Sequence, residues 1–197
     1  MPRPWRWFRF FERSLGAAPA LPVPPGLVLR QITEPEAGRW CAAELDLREA
    51  GMAAAFGRGD LFVGAFAGDE LVGYCWLAFA PLPHLDGVWV RFAPAAVWTY
   101  KSFVRATHRG RGIAPALYRA LDGACLERGR NRSLLCVEWS NAPSVAAALR
   151  AGYFPAGYAA YLRHPSAVLA WRSPAARRQA IEFFRPGAPN FRAPRSV

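Results

Sequence analysis

Long apolar runs are missing from this chain. The longest uncharged stretch in its middle, residues 71–85, is 15 residues long and carries Pro81 and Pro83. A bilayer-spanning helix needs about 20 consecutive apolar residues, so that stretch is too short and too broken to be one. An uninterrupted secretory core is also missing from the first residues, which Arg3, Arg6, Arg9 and Arg13 punctuate. Cysteine is sparse: Cys41, Cys75, Cys125 and Cys136 show no close pairing, which excludes a zinc knuckle or a disulfide framework. No metal site is expected. A reducing cytoplasm is the simplest compartment. Lysine is nearly absent, with Lys101 alone against 24 arginines; codon usage accounts for that skew without a task for each guanidinium.

What is present is positive charge, unevenly placed. The formal net charge is +11, of which residues 1–13 hold +3 and residues 163–197 hold +6, leaving +2 between them. Basic termini around a balanced middle argue against nucleic-acid binding by the whole domain. The 197 residues suit one domain with appendages: a basic aromatic segment and Pro-rich linker over 1–26, a domain over 27–173 and a basic extension over 174–197. At 100° per residue, Trp7, Phe8, Phe11 and Leu15 share one side of a helix and Arg6, Arg9 and Arg13 the other, so residues 1–15 read as a basic amphipathic helix. Such a helix either lies on an anionic membrane surface or docks on its own protein. Residues 17–26, with four prolines, read as a stiff linker.

Within the domain, residues 27–32 read as a strand and 34–50 as a helix, with Trp40, Ala43, Leu47 and Ala50 at helical spacing. Residues 51–59 read as a connection. Residues 61–66 and 71–79 form a hairpin around Gly68-Asp69, and the proline-interrupted segment 81–96 is a candidate pocket wall. Then come a strand (97–104), a helix (112–128), a strand (133–138), a helix (144–151), two strands (158–163 and 168–172) around His164-Pro165-Ser166, and a helix (174–184) before a loose tail. This order predicts an α+β domain in α/β/α layers. If the strands at 97–104 and 133–138 are parallel, the connection between them is a right-handed crossover.

The most informative stretch is His108-Arg109-Gly110-Arg111-Gly112-Ile113-Ala114, between a strand and a helix. Two glycines allow a sharp turn, Ala114 is small enough for close approach, and the first amides of the helix have no partners inside it. Those amides suit an anion, and the flanking arginines suit a diphosphate. No Gly-Lys-Ser/Thr closes the turn and no third glycine follows, so it is neither a Walker loop nor a dinucleotide fingerprint.

Arg109-x-x-Gly112-x-Ala114 resembles the pyrophosphate loop of the GNAT family of acyl-CoA-dependent N-acyltransferases. The resemblance runs from about residue 27 to residue 172. It extends to Asn141-Ala142-Pro143-Ser144 and a helix ending Gly152-Tyr153, similar to the family's Asn-x-x-Ser/Ala, helix, Gly-Phe segment with Tyr in place of Phe. It implies a mixed, mostly antiparallel twisted sheet of about six to seven strands flanked by helices, with a parallel pair splaying apart to form the acyl-CoA cleft.

It also implies acetyl-CoA or another acyl-CoA as cosubstrate and a primary amine as acceptor, joined by direct attack in a ternary complex. Main-chain groups of Arg109, Gly110, Arg111, Gly112, Ile113 and Ala114 would hold the diphosphate. Those of Phe103 and Val104 would pair with the pantetheine arm, and Asn141 and Ser144 would make a second contact. Asn141 also reads as a plain helix cap. An ammonium acceptor must lose a proton, and Glu138, on the strand face it shares with Cys136, is the first candidate base; a solvated strand-end carboxylate is the alternative. His84 and Asp86 are further candidates. One departure stands out: where many members carry a tyrosine four residues before the Gly of Gly-Phe, this chain has Ala148. Tyr118, Tyr153 or Tyr158, or water, must then protonate the leaving thiolate, or transfer is slow. A non-catalytic acyl-CoA sensor and a membrane-proximal enzyme using longer acyl groups are the competing readings.

Overall fold

The computed structural model describes residues 5–16, 21–85, 87–163, 168–187 and 190–192. Asp86 and the His164-Pro165-Ser166 turn lie outside them. The strands are β1 (Trp5–Ser14), β2 (Val28–Ile32), β3 (Leu61–Ala67), β4 (Glu70–Ala78), β5 (Leu82–Pro83), β6 (Trp89–Arg91), β7 (Ala96–Val104), β8 (Arg132–Glu138), β9 (Phe154–Arg163), β10 (Val168–Arg172), β11 (Glu182–Phe184) and β12 (Asn190–Arg192). The helices are α1 (Glu34–Ala37), α2 (Glu49–Gly57), α3 (Ile113–Leu117), α4 (Asp122–Glu127), α5 (Ala142–Arg150) and α6 (Pro174–Arg178). Nine strands form one sheet in the order β12-β10-β9-β1-β8-β7-β4-β3-β2, and β11-β6-β5 form a second. Among the described residues of the large sheet only β7–β8 and β10–β12 pair in parallel.

The largest correction is at the start of the chain. Residues 5–14 are a strand, inserted between β8 (Phe10↔Cys136) and β9 (Phe8↔Ala159). The helical stripe was misleading because it left out Phe10, which is completely buried. The operative period is two: Phe8 and Phe10 face one side of the sheet, Trp5, Trp7 and Arg9 the other. Phe8 and Phe10 pack with Trp98, Leu134, Tyr161 and Phe183, while Phe11 joins the opposite layer beside Leu135 and Tyr153. A segment expected to stand apart is thus a central strand of the sheet.

Three helix expectations also change. The expected helix over 34–50 is broken: it holds the four-residue α1, whose capping box joins Thr33 and Glu36, two 3₁₀ turns ending at Asp46 in the left-handed region (φ 51°), and the start of α2 at Glu49. Most of the 51–59 stretch, expected as a connection, belongs to α2 (Glu49–Gly57), which buries Met52 and Ala55. The helix over 112–128 breaks in two: Asp122 N–H bonds Arg119 O, and Arg13 Nη2 donates to Tyr118 O at 3.3 Å. Residues 174–184 form only α6, capped by Ser173, before Ala180 (φ 52°) turns the chain into β11. There Ile181 and Phe183 join the core.

The strands expected at 27–32, 61–66, 71–79, 97–104, 133–138 and 168–172 and the 68–69 turn stand, with ends moved by a residue at most; the strand expected at 158–163 starts earlier, at Phe154, and β5, β6 and β12 lie where no strand is expected. Helices α3 and α5 cover one face of the large sheet, with Val63, Cys75 and Leu135 beneath them and Leu117 of α3 packed onto these. The small sheet covers part of the other face, where Val90 and Phe183 pack with Phe8 and Trp98; α1 and α2 supply Ala37, Met52 and Ala55 to an aromatic cluster around Phe62 and Trp76. Beyond α5 the first face carries exposed aromatics: Trp5, Trp7, Trp139, Tyr158 and Trp171 are 37–48% accessible. Trp7 lies 6.4 Å from Trp171, and Arg9 stacks over Trp139 at 4.2 Å.

Candidate active site

The parallel pairing of β7 with β8 stops at Thr99↔Leu135, although β7 continues to Val104 and β8 to Glu138. Lys101 (φ 47°) and a register shift against β4 mark where β7 bends away. Two cavities open there. The larger, about 540 Å³, lies on the α3–α5 face between Ser102–Val104, the glycine turn and α5. The smaller, about 190 Å³, lies in the splay between residues 99–102 and 135–138. Ser102, Tyr118, Asn141 and Ser144 line both, forming the neck between them.

The turn has the shape its glycines suggested. Gly110 (φ 79°) and Gly112 (φ 81°) occupy the left-handed region, where a Cβ adds strain. A Cβ built on either would meet nothing within 4 Å, so the space before the turn is open. Arg109 N–H bonds Ala106 O, and the helix begins returning amides to carbonyls at Ala116 N–H, which bonds Gly112 O at 3.2 Å. Between them, Gly110, Gly112, Ile113 and Ala114 line the larger cavity, and first-turn amides without helical partners suit an anion.

The side chains divide. Arg109 lines that cavity and ties the turn to the strand, its Nε donating to Val104 O at 3.1 Å. Gly110, Gly112, Ile113, Ala114, Phe103 and Val104 also line it. Arg111 does not. Arg150, from the last turn of α5, does; nothing local in the chain signals it, because only the fold brings α5 alongside the turn. Asn141 is the helix cap: its Oδ1 accepts from Ser144 N–H at 3.1 Å, so that amide is already engaged while both residues remain at the neck.

Glu138 lines the smaller cavity and faces the sheet side opposite α5, with Cys136 behind it. Its Oε1 accepts from Arg6 Nη1 at 2.8 Å, so the inserted first strand contributes to the site. Burial, with the Glu138 carboxylate adding to it, raises the Cys136 thiol well above its ordinary range. A thiol so held is a poor nucleophile. His84 sits elsewhere, ringed by Phe8, Tyr161 and Phe183 in the opposite core.

The tyrosine in place of phenylalanine has a structural reason. Tyr153 is buried, and its hydroxyl meets Ser133 Oγ at 2.5 Å and Thr99 Oγ1 at 3.3 Å, two partners on neighbouring strands. Desolvation raises its pKa, and Arg13, 5.1 Å over the ring and paired with Asp122, opposes that rise.

A family model described as the acetyltransferase (GNAT) family matches residues 26–153. No curated protein matches the chain. Among solved structures, a GCN5-related N-acetyltransferase from Sphaerobacter thermophilus superposes with TM-score 0.58 at 19% identity, over 87% of this chain and 52% of that one. One from Kribbella flavida gives 0.57 at 14%, over 90% and 61%. A GNAT-family putative acetyltransferase from Novosphingobium aromaticivorans gives 0.53 at 17%, over 86% and 66%. The chain thus spans roughly half to two-thirds of the length of these structural relatives. With the family's segment matched over 26–153 and its fold reproduced around a splayed β7–β8 pair, the chain belongs to the GNAT acetyltransferase family.

Proposed function

We propose that this protein transfers an acyl group, acetyl from acetyl-CoA in the first instance, to a primary amine by direct attack within a ternary complex. The observation that carries this reading is a through-sheet passage: an anion cradle opens on one face, a carboxylate lies on the other, and the parted strands connect them. The diphosphate rests on the amides from Gly110 to Ala114 with Arg109 and Arg150 beside it, and the pantetheine arm lies along the unpaired edge of β7. The acceptor enters from the Glu138 side, and Glu138 takes a proton from the ammonium group so that a neutral amine attacks. Direct attack is favoured over an acyl-enzyme because Cys136, the cysteine lining the passage, is held protonated.

Incubation with acetyl-CoA and a primary-amine library, following thiol release and product mass, tests the reading. Turnover is expected with at least one amine. Binding of acetyl-CoA without turnover on any would favour a sensor instead. Glu138→Gln is expected to lower kcat by about 10²-fold and to change the pH dependence of the rate. An unchanged rate and profile would remove Glu138 from its role.

A second reading concerns location. The exposed face bearing Trp5, Trp7, Trp139, Tyr158 and Trp171 combines Trp and Tyr with Arg9, a composition suited to the headgroup boundary of a bilayer. The +11 charge favours an anionic lipid surface over a second copy of the same basic chain. No helix among the described residues is long and apolar enough to cross a membrane, so the contact is peripheral. Sedimentation with phosphatidylglycerol vesicles but not with phosphatidylcholine vesicles is expected, with loss of binding in Trp7→Glu/Trp171→Glu. A concentration-dependent doubling of mass, abolished by the same pair of changes, would assign the face to self-association.

A further inference from the structure

Departure of a thiolate calls for a proton, and Ala148 cannot supply one. Of the six tyrosines, Tyr74 donates to Leu45 O. Tyr100 donates to Asp60 Oδ2 at 2.7 Å, and Tyr153 is engaged by Ser133 and Thr99. Tyr158 is on the exposed aromatic face and Tyr161 in the opposite core. Tyr118, on the turn following α3, is the tyrosine that lines both cavities.

We infer that Tyr118 is the proton donor to the departing sulfur, standing in from the α3 side for the residue that α5 lacks at Ala148. This inference rests on the proposed acyl transfer. Three features place Tyr118 there. Its hydroxyl lies 2.9 Å from Ser102 Oγ, at the neck that a donor must thread to bring its acyl carbon from the cradle to the acceptor. Its ring packs in the same cluster as fully buried Ala148 and makes an edge contact with Tyr153 at 6.1 Å, so the large side chain after α3 and the small one on α5 belong to one packed layer. Ser102, itself lining both cavities, holds the hydroxyl toward the passage.

The atoms balance. The neutral amine forms the new C–N bond, the C–S bond breaks, and the sulfur keeps its electron pair and receives the Tyr118 hydroxyl proton. The nitrogen of the new amide releases a proton, which returns through Glu138 and solvent to the phenolate. Burial, partly opposed by the Ser102 bond, pushes the Tyr118 hydroxyl up to about 12, so it carries its proton throughout the working range.

The test needs no acceptor. With CoA itself as probe, the thiolate absorbance of the enzyme–CoA complex is followed against pH. A hydroxyl donating to the sulfur stabilises the thiolate, so the bound thiol is expected to titrate about one to two pH units lower in the wild type than in Tyr118→Phe. Phenylalanine keeps the ring packing, and a thermal melt verifies folding. In acetyl transfer the same change is expected to lower kcat by about 10²-fold while KM for acetyl-CoA moves less than about threefold. Identical thiol titrations, or undiminished turnover, would overturn the inference. Failure of the wild type to bind CoA would instead overturn the acyl-transfer reading beneath it, and calorimetry distinguishes the two.

Discussion

A chain lacking residues 1–15 is expected to lose its cooperative unfolding transition, with both thermal and urea scans reduced to sloping baselines. Phe8, Phe10 and Phe11 are each no more than 2% exposed. Complete burial of such a side chain is worth about 1.5–3 kcal/mol, so the three together approach the whole net stability of a typical domain, about 5–15 kcal/mol. Loss of the strand also leaves β8 and β9 as facing edges without their shared neighbour, open to pairing with other chains. Arg13, paired with Asp122 through two bonds of 2.7 Å, leaves with the strand and uncovers the break between α3 and α4. A milder probe, Phe10→Ala, is expected to cost about 3–5 kcal/mol in urea denaturation, because it opens a cavity between Trp98 and Phe183. If the truncated chain instead melts cooperatively near the wild-type midpoint, the first strand is dispensable. Its aromatics would then belong to a detachable segment.

The truncation also bears on what was legible in the amino-acid sequence. The motif and its flanks could be read because their constraints are local: glycines that must turn, a cap at Asn141, and alternating apolar residues in the β3–β4 hairpin. The first strand could not be read that way. Trp7, Phe8, Phe11 and Leu15 satisfy a helical period while Phe8 and Phe10 satisfy a strand period, and only insertion between two strands distant in sequence decides between them. The broken helix after the turn has the same origin: Arg13, more than 100 residues away, captures the Tyr118 carbonyl. The site divides along this line. Glu138 could be proposed from its place at a strand end, but its ion pair with Arg6, the contribution of Arg150 and the convergence of Ser102 with Tyr118 all depend on long-range topology.

Gly112→Trp is expected to weaken acetyl-CoA binding by at least about 100-fold in calorimetry while the protein remains folded. Holding a non-glycine residue at φ 81° costs roughly 1–2 kcal/mol, within what the domain can absorb. The indole would occupy the open space before the turn, where a Cβ meets no protein atom, and would exclude a diphosphate from the amides of Ile113 and Ala114. Gly112→Ala separates the two contributions. It imposes the same backbone strain with one added methyl, so its affinity loss is expected to be much smaller, below about tenfold, with a similar shift in melting temperature. Equal loss in both variants would mean that the turn acts by its conformation alone. Wild-type affinity in the tryptophan variant would place the diphosphate elsewhere, and with it the acyl carbon, leaving Tyr118 and Glu138 without a reacting centre between them.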